Sequence, residues 1–161
     1  MSAGSAPPLP TARGSSPPSV RQFSVFLDNR VGKLYELLEI FEDRPEIHLC
    51  ALSVMEATDH AVIRIITNNS RMTRELLRQH GLPFSEMDLL IVELKTQQSL
   101  ATLCLYLLGA ELNIQFAYPL MLRSSGQPTI ALSVDDKTVA GQVLLSKNFR
   151  LLGEADLLDP T

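Results

Sequence analysis

From Arg21 to Leu27 apolar and polar positions alternate, with Phe23, Val25 and Leu27 on one face and Phe26 on the other, which predicts a strand. Asp28 to Gly32 is polar and reads as a turn. Leu34, Leu37, Leu38 and Phe41 then recur at helical spacing until Asp43 to Pro45 ends the run. Ile47 to Met55 and Ala61 to Thr67 are β-rich and separated by a polar turn, so they predict a hairpin. Asn68 or Asn69 is suited to cap the next helix, which runs to His80 and stops at Gly81. Phe84 to Leu94 is long for one strand. Its early part is expected to close one unit, and Leu89 to Leu94 to open another. Ser99 or its surroundings starts a very apolar helix through Leu108, ended by Gly109. Asn113 to Leu122 and Thr129 to Val134 predict a second hairpin around Ser124-Ser125-Gly126-Gln127. Asp135 or Asp136 caps the fourth helix, and Phe149 to Leu152 begins the last strand.

This order is written twice. Ile47-His48-Leu49-Cys50-Ala51-Leu52-Ser53 is echoed 65 positions later by Leu112-Asn113-Ile114-Gln115-Phe116-Ala117-Tyr118. Val25 to Leu34 aligns with Ile91 to Leu100 at an offset of 66, and Thr67-Asn68-Asn69 with Val134-Asp135-Asp136 at 67. Few residues are identical; what repeats is strand, helix, strand, strand, helix, strand. The expected fold class is therefore α+β: two βαββαβ units in tandem, each an antiparallel four-stranded sheet with helices on one face. The expected domains are 20–87 and 88–161. Residues 1–19 carry half of the ten prolines among Ser, Ala and Gly and are expected to form a disordered tail. The helix from Ser99 has hardly any polar face, so burial between layers or at a subunit interface is expected, and with it a homodimer.

Composition narrows the function. With 45% hydrophobic residues in 161, the chain can bury a core, and each repeat of about 70 residues would be marginal alone, so the halves are expected to pack together. A net charge of −4 and a pI near 5.3 argue against nucleic-acid or anionic-membrane partners. Arg71, Arg74 and Arg78 form a local basic stripe, read as the solvated face of a helix. Cys50 and Cys104 lie in apolar segments and are expected to be reduced and buried, as in a cytosolic protein. The longest apolar stretch, Leu100 to Leu108, is too short to span a bilayer, and no apolar run follows Arg13 to make a secretory signal. A cytoplasmic location is expected, which leaves the Asn68-Asn69-Ser70 glycosylation pattern without meaning.

Catalytic constellations are missing. His48, His60 and His80 are unclustered and read as strand or cap residues, and no spacing suits a metal. There is no nucleophile elbow, Walker loop or dinucleotide turn, and Glu36, Glu39 and Glu42 mark the wet side of a helix. The expectation is no enzyme, no cofactor and no metal. One segment carries functional chemistry: Asp28-Asn29-Arg30-Val31-Gly32-Lys33-Leu34. A glycine where a helix begins lets a carboxylate approach the unpaired N–H groups at the positive end of the helix dipole. Arg30 and Lys33 add positive charge, while Asp28 and Asn29 offer acceptors to an ammonium group, a combination suited to a zwitterionic amino acid. The competing reading is a capped turn with flanking surface charge; spacing alone leaves both open.

At this segment the chain resembles the ACT domains, small regulatory modules that bind amino acids. Their usual ligand turn is Asn or Asp, any residue, Pro, Gly, any residue, Leu; Asn29, Gly32 and Leu34 match, and Val31 stands where proline is usual. The hairpin from Ile47, Leu112-Asn113-Ile114 and Val134-Asp135-Asp136 resemble further parts of the family, so that the resemblance covers residues 21 to 155. It implies two ferredoxin-like, ACT-type units joined side by side through their sheets, with a small amino acid held at the interface between units. It also implies a non-catalytic allosteric sensor, often acting through a separate enzyme of amino-acid biosynthesis. The ligand contacts carried over are Asn29, Arg30, Val31, Gly32 and Lys33, with Asn113 and Gln115 facing them from the second unit. In the second copy Lys95-Thr96-Gln97-Gln98-Ser99 has no glycine, and Gln98 falls at the equivalent of Gly32, where a β-carbon obstructs a carboxylate. One competent turn per chain is expected, and Gly32→Val is expected to keep the fold and abolish binding. The alternative from another class is a ligand-independent interaction module or regulatory subunit. An RNA-binding sheet fails on charge and on too few aromatics, Phe26 and Phe116.

Overall fold

The structure is a computed structural model that describes residues 9–11, 14–16, 20–121 and 126–157. Within the segment expected to be a tail, β1 (Leu9–Thr11) and β2 (Gly14–Ser16) pair antiparallel; the rest of that segment lies outside the described residues. By its contacts the chain divides into one unit of Arg21–Met87 and another of Asp88–Thr161 with Met1–Val20.

The first unit is built on β3 (Val20–Asp28), α1 (Lys33–Glu42), β4 (Leu49–Glu56), β5 (His60–Thr67), α2 (Ser70–Gln79) and the opening of β6 (Phe84–Glu93). Its strand order is β4-β5-β3-β6, and β3 runs antiparallel to β5 with Phe23 opposite Ile65 and Val25 opposite Ile63. Alternation turns those four side chains and Leu27 towards the helices, where they meet Leu37 and Phe41 of α1 and Leu76 and Leu77 of α2. All nine are buried, and each contributes about 1.5–3 kcal/mol by leaving water.

The second unit repeats the plan. The remainder of β6, α3 (Leu100–Gly109), β7 (Ile114–Pro119), β8 (Thr129–Val134), α4 (Lys137–Ser146) and β9 (Arg150–Leu152) give the order β7-β8-β6-β9, all neighbours antiparallel. A short 3-10 turn, Glu154–Asp156, follows β9. Leu90, Val92, Leu132 and Val134 face Leu103, Leu107, Ala140 and Leu144 of the helices. The strand observed at β7 is shorter than the expected Asn113–Leu122; residues 122–125, with the expected turn at Ser124 and Ser125, lie outside the described residues.

The duplication extends to its irregularities. Register shifts between Leu49 and Ala51 in β4, and between Ile114 and Phe116 in β7, so that Cys50 and Gln115, 65 apart, occupy the same bulge. Asn68 Oδ1 accepts from the His48 amide at 2.7 Å, and Asp135 Oδ1 accepts from the Asn113 amide at 3.0 Å. In each pair the next residue caps the helix: Asn69 Oδ1 accepts from the Met72 amide and Asp136 Oδ1 from the Val139 amide. Each Asx pair thus divides two tasks, one residue holding the strand and the next starting the helix.

Three expectations are corrected. Arg74 does not belong to a solvated stripe: it is half-buried and clamps Glu86 of β6, whereas Arg71 pairs with Glu75 at the surface. Cys104 is exposed while Cys50 is buried, because α3 turns Leu103 and Leu107 inward and leaves Cys104, about 100° round the helix from Leu103, on the outward side. That face, with Leu100, Leu105 and Leu108, is exposed, so the apolar helix is not enclosed between layers of the chain.

Candidate functional site

The Asp28–Lys33 turn lies between the end of β3 and α1. Gly32 is the N-cap of α1 in a left-handed conformation, φ +91°, which glycine adopts without the Cβ penalty. An added Cβ would meet nothing within 4 Å, so backbone conformation rather than space makes glycine fit. No side chain caps α1, whereas Asn69, Ser99 and Asp136 cap the other three α-helices. The Leu34 and Tyr35 amides therefore sit at the positive helix end with no capping side chain from Gly32.

The turn is internally braced. The Arg30 amide donates to Asp28 O at 2.9 Å and its guanidinium to Asp28 Oδ2 at 3.3 Å. Lys33 Nζ lies 3.2 Å from Glu36 Oε2, and Asn29 Nδ2 donates to Glu56 Oε1 at the end of β4 at 3.0 Å. Val31 is fully exposed. Beside the turn lies a cavity of about 390 Å³ in the first unit. Its apolar lining is Phe26, Leu27, Leu37, Ile40, Leu82 and Pro83, and its polar lining is Asp28, Lys33, Glu36 and His80. His80 Nδ1 lies 3.0 Å from the Leu76 carbonyl, which only accepts; in the neutral ring Nδ1 is then the donor and Nε2 the acceptor.

Of the residues singled out from the sequence, Lys33 lines this cavity together with Asp28. Asn29 is engaged with Glu56, Arg30 with Asp28, and Val31 points to solvent. Asn113 and Gln115 belong to the second unit: Asn113 is held through its amide by Asp135, and Gln115 Oε1 accepts from Ser133 Oγ at 2.7 Å. The walls from Ile40 and from His80 to Pro83 were not legible in the sequence. They approach the turn only through the packing of α1 against the end of α2, and no local pattern marks them. His48 and His60 stand at the starts of β4 and β5 and His80 at the end of α2, as strand and cap residues, and no group of three metal-ligating side chains occurs among the described residues.

The equivalent turn of the second unit is tied by its own side chain, beside an open depression of about 520 Å³ lined by Lys95 to Gln98, Lys147 and Asn148. Gln98 Oε1 accepts from the Lys95 amide at 2.9 Å, and Gln98 Nε2 donates to Asn148 O at 3.1 Å. Ser99 Oγ then caps α3 through the Thr102 amide. The side chain at the glycine-equivalent position ties the loop, and a hydroxyl occupies the helix end that α1 leaves open.

This arrangement of two βαββαβ units is that of a known regulatory family. The sequence model of the ACT domain pair matches residues 18–160, and the chain belongs to that family. Protein BT0572 from Bacteroides thetaiotaomicron shares the fold with a TM-score of 0.75 at 22% identity, over 86% of this chain and 95% of that one. The regulatory subunit of aspartate kinase from Thermus thermophilus, in its ligand-free form, aligns with a TM-score of 0.52 at 8% identity, over 80% and 91%. The aspartokinase α and β subunit structure aligns at 0.50 and 15% identity, over 80% and 90%. No curated protein matches the chain.

Proposed function

We infer that this protein is a non-catalytic regulatory protein that binds a small amino acid at the Asn29–Lys33 turn of its first unit. The observation that carries the reading is the start of α1: a left-handed glycine with no capping side chain, beside the ammonium of Lys33 and the carboxylate of Asp28. The helix end and Lys33 suit the ligand carboxylate; Asp28 suits its ammonium. Membership of the ACT domain pair family and the likeness to an aspartate kinase regulatory subunit support a regulatory role, which this reading places on a separate enzyme of amino-acid biosynthesis. The reading takes the protein to be cytoplasmic, and homodimeric through the exposed apolar side of α3.

Thermal unfolding of the purified chain against the twenty amino acids tests this. A ligand at about 100 times its dissociation constant stabilises the native state by about 2.7 kcal/mol, a rise of several degrees. One or two such rises are expected; a flat panel at millimolar concentrations overturns the reading. A second reading, a ligand-independent interaction module, is favoured by the exposed apolar side of α3, with Leu100, Leu105 and Leu108.

A further inference from the structure

We propose that the cavity beside the Asp28–Lys33 turn makes this protein selective for an amino acid with a large aliphatic side chain, of the size of leucine, over glycine, serine or a charged amino acid. The proposal rests on the amino-acid-binding reading and adds the class of side chain accepted. A volume of about 390 Å³ is at the lower end for small-molecule sites and has room for a single amino acid. Its groups are sorted by type. Charges gather where α1 begins, with Asp28 and Glu36 as anions and Lys33 as cation, while Leu37, Ile40, Leu82 and Pro83 supply an apolar lining.

The charges of that rim are balanced in two pairs, Arg30 with Asp28 at 3.3 Å and Lys33 with Glu36 at 3.2 Å, so a ligand that keeps the balance brings one charge of each sign. An α-amino acid does this: its ammonium meets Asp28, and its carboxylate meets Lys33 at the uncapped end of α1. Apart from His80, whose Nδ1 is engaged with the Leu76 carbonyl and whose Nε2 is left as an acceptor in the neutral ring, the remaining side chains of the lining are apolar. An aspartate carboxylate there loses water and meets an acceptor rather than a donor, and a serine hydroxyl has only His80 Nε2 to bond and leaves the apolar wall uncovered. A leucine side chain instead covers Ile40 and Leu82, both partly exposed without ligand. Each methylene buried multiplies affinity by about four. Three more carbons than alanine then give up to about 60-fold, and at least about tenfold in a cavity open on one side.

Calorimetric titration of the full chain with leucine, alanine, glycine, serine, aspartate and lysine tests this. Leucine is expected to bind at least about tenfold tighter than alanine, with serine and aspartate weaker still. Ile40→Phe, which fills the cavity from α1, is expected to remove leucine binding at unchanged unfolding temperature, and Ile40→Val to retain it. Leu82→Phe fills the cavity from the opposite wall and replaces Ile40→Phe if that variant is unstable. Serine or glycine binding as tightly as leucine, or leucine binding unaffected by both filling variants, overturns the proposal while the sensor reading stands. Binding of none of the six, together with a flat twenty-amino-acid panel, overturns both.

Discussion

The Asn113 amide donates to Asp135 Oδ1 at 3.0 Å, and the Asp135 amide returns a bond to the Asn113 carbonyl at 3.3 Å. Asn68 and His48 make the same two-way connection in the first unit, at 2.7 and 3.3 Å. Removing either Asx side chain leaves a strand amide to find water, at the start of an edge strand. Asp135→Ala and Asn68→Ala are each expected to cost about 1 kcal/mol in urea unfolding, and about as much as Asp136→Ala or Asn69→Ala, which remove helix caps. A loss under a few tenths of a kcal/mol at positions 68 and 135 would show the connection to be incidental.

Glu86 gives stability a pH dependence. Arg74 meets it with Nη2 at 2.7 Å from Oε1 and Nε at 3.0 Å from Oε2, and Arg21 adds a contact at 3.2 Å. The Arg74 hydrogen bonds, against some opposing desolvation, hold the carboxyl below its ordinary value. A depressed folded-state pKa means the unfolded chain binds more protons. The stabilisation is therefore present above the unfolded value of about 4.5 and lost as pH falls through the folded one. Glu86→Gln is expected to lose about 1 kcal/mol at pH 7, with the gap to the native protein closing as unfolding is repeated towards pH 3.

At Gly32 the conformation sets the choice of variant. With φ +91°, a β-branched residue is an outlier, so Gly32→Val is expected to destabilise α1 by about 2 kcal/mol despite the open space around it. Gly32→Asn tolerates positive φ better, and its side chain is able to cap the helix end. It is expected to unfold within about 0.5 kcal/mol of the native protein and to bind amino acid at least tenfold more weakly. Full affinity in Gly32→Asn would move the ligand away from the helix end.

The second turn makes the opposite prediction. Gln98→Ala removes two hydrogen bonds, to the Lys95 amide and the Asn148 carbonyl, and is expected to cost about 1 kcal/mol while leaving amino-acid affinity unchanged. A change in affinity or in binding stoichiometry would make the second turn a ligand site as well.

Cysteine labelling checks the orientation of α3. Cys104 is exposed and Cys50 buried, so a thiol reagent is expected to modify Cys104 within minutes in the folded chain and Cys50 only in denaturant, as read by intact mass. Rapid native modification of both would contradict the burial of the β4 bulge. Slow modification of Cys104 at high protein concentration, quickening on dilution, would place it in a self-association interface.

The sequence by itself determined the order of elements from β3 to β9, the duplication and the position of the glycine turn before α1. Those features are written within a few neighbouring residues: alternation in β3 and β8, helical spacing in α1, glycine at 32, and Asx or Ser at the starts of the other three α-helices. It also marked the absence of glycine at position 98. Only the tertiary structure decided which of Asn68 and Asn69 caps α2 and which holds His48, because two adjacent Asx residues are equivalent until a strand is laid beside one of them. It likewise paired Arg74 with Glu86, twelve residues on, turned Cys104 outward, and assembled the cavity from residues between 26 and 83. Those outcomes depend on which faces meet across long separations, and hydrophobic periodicity fixes a face without naming what packs against it.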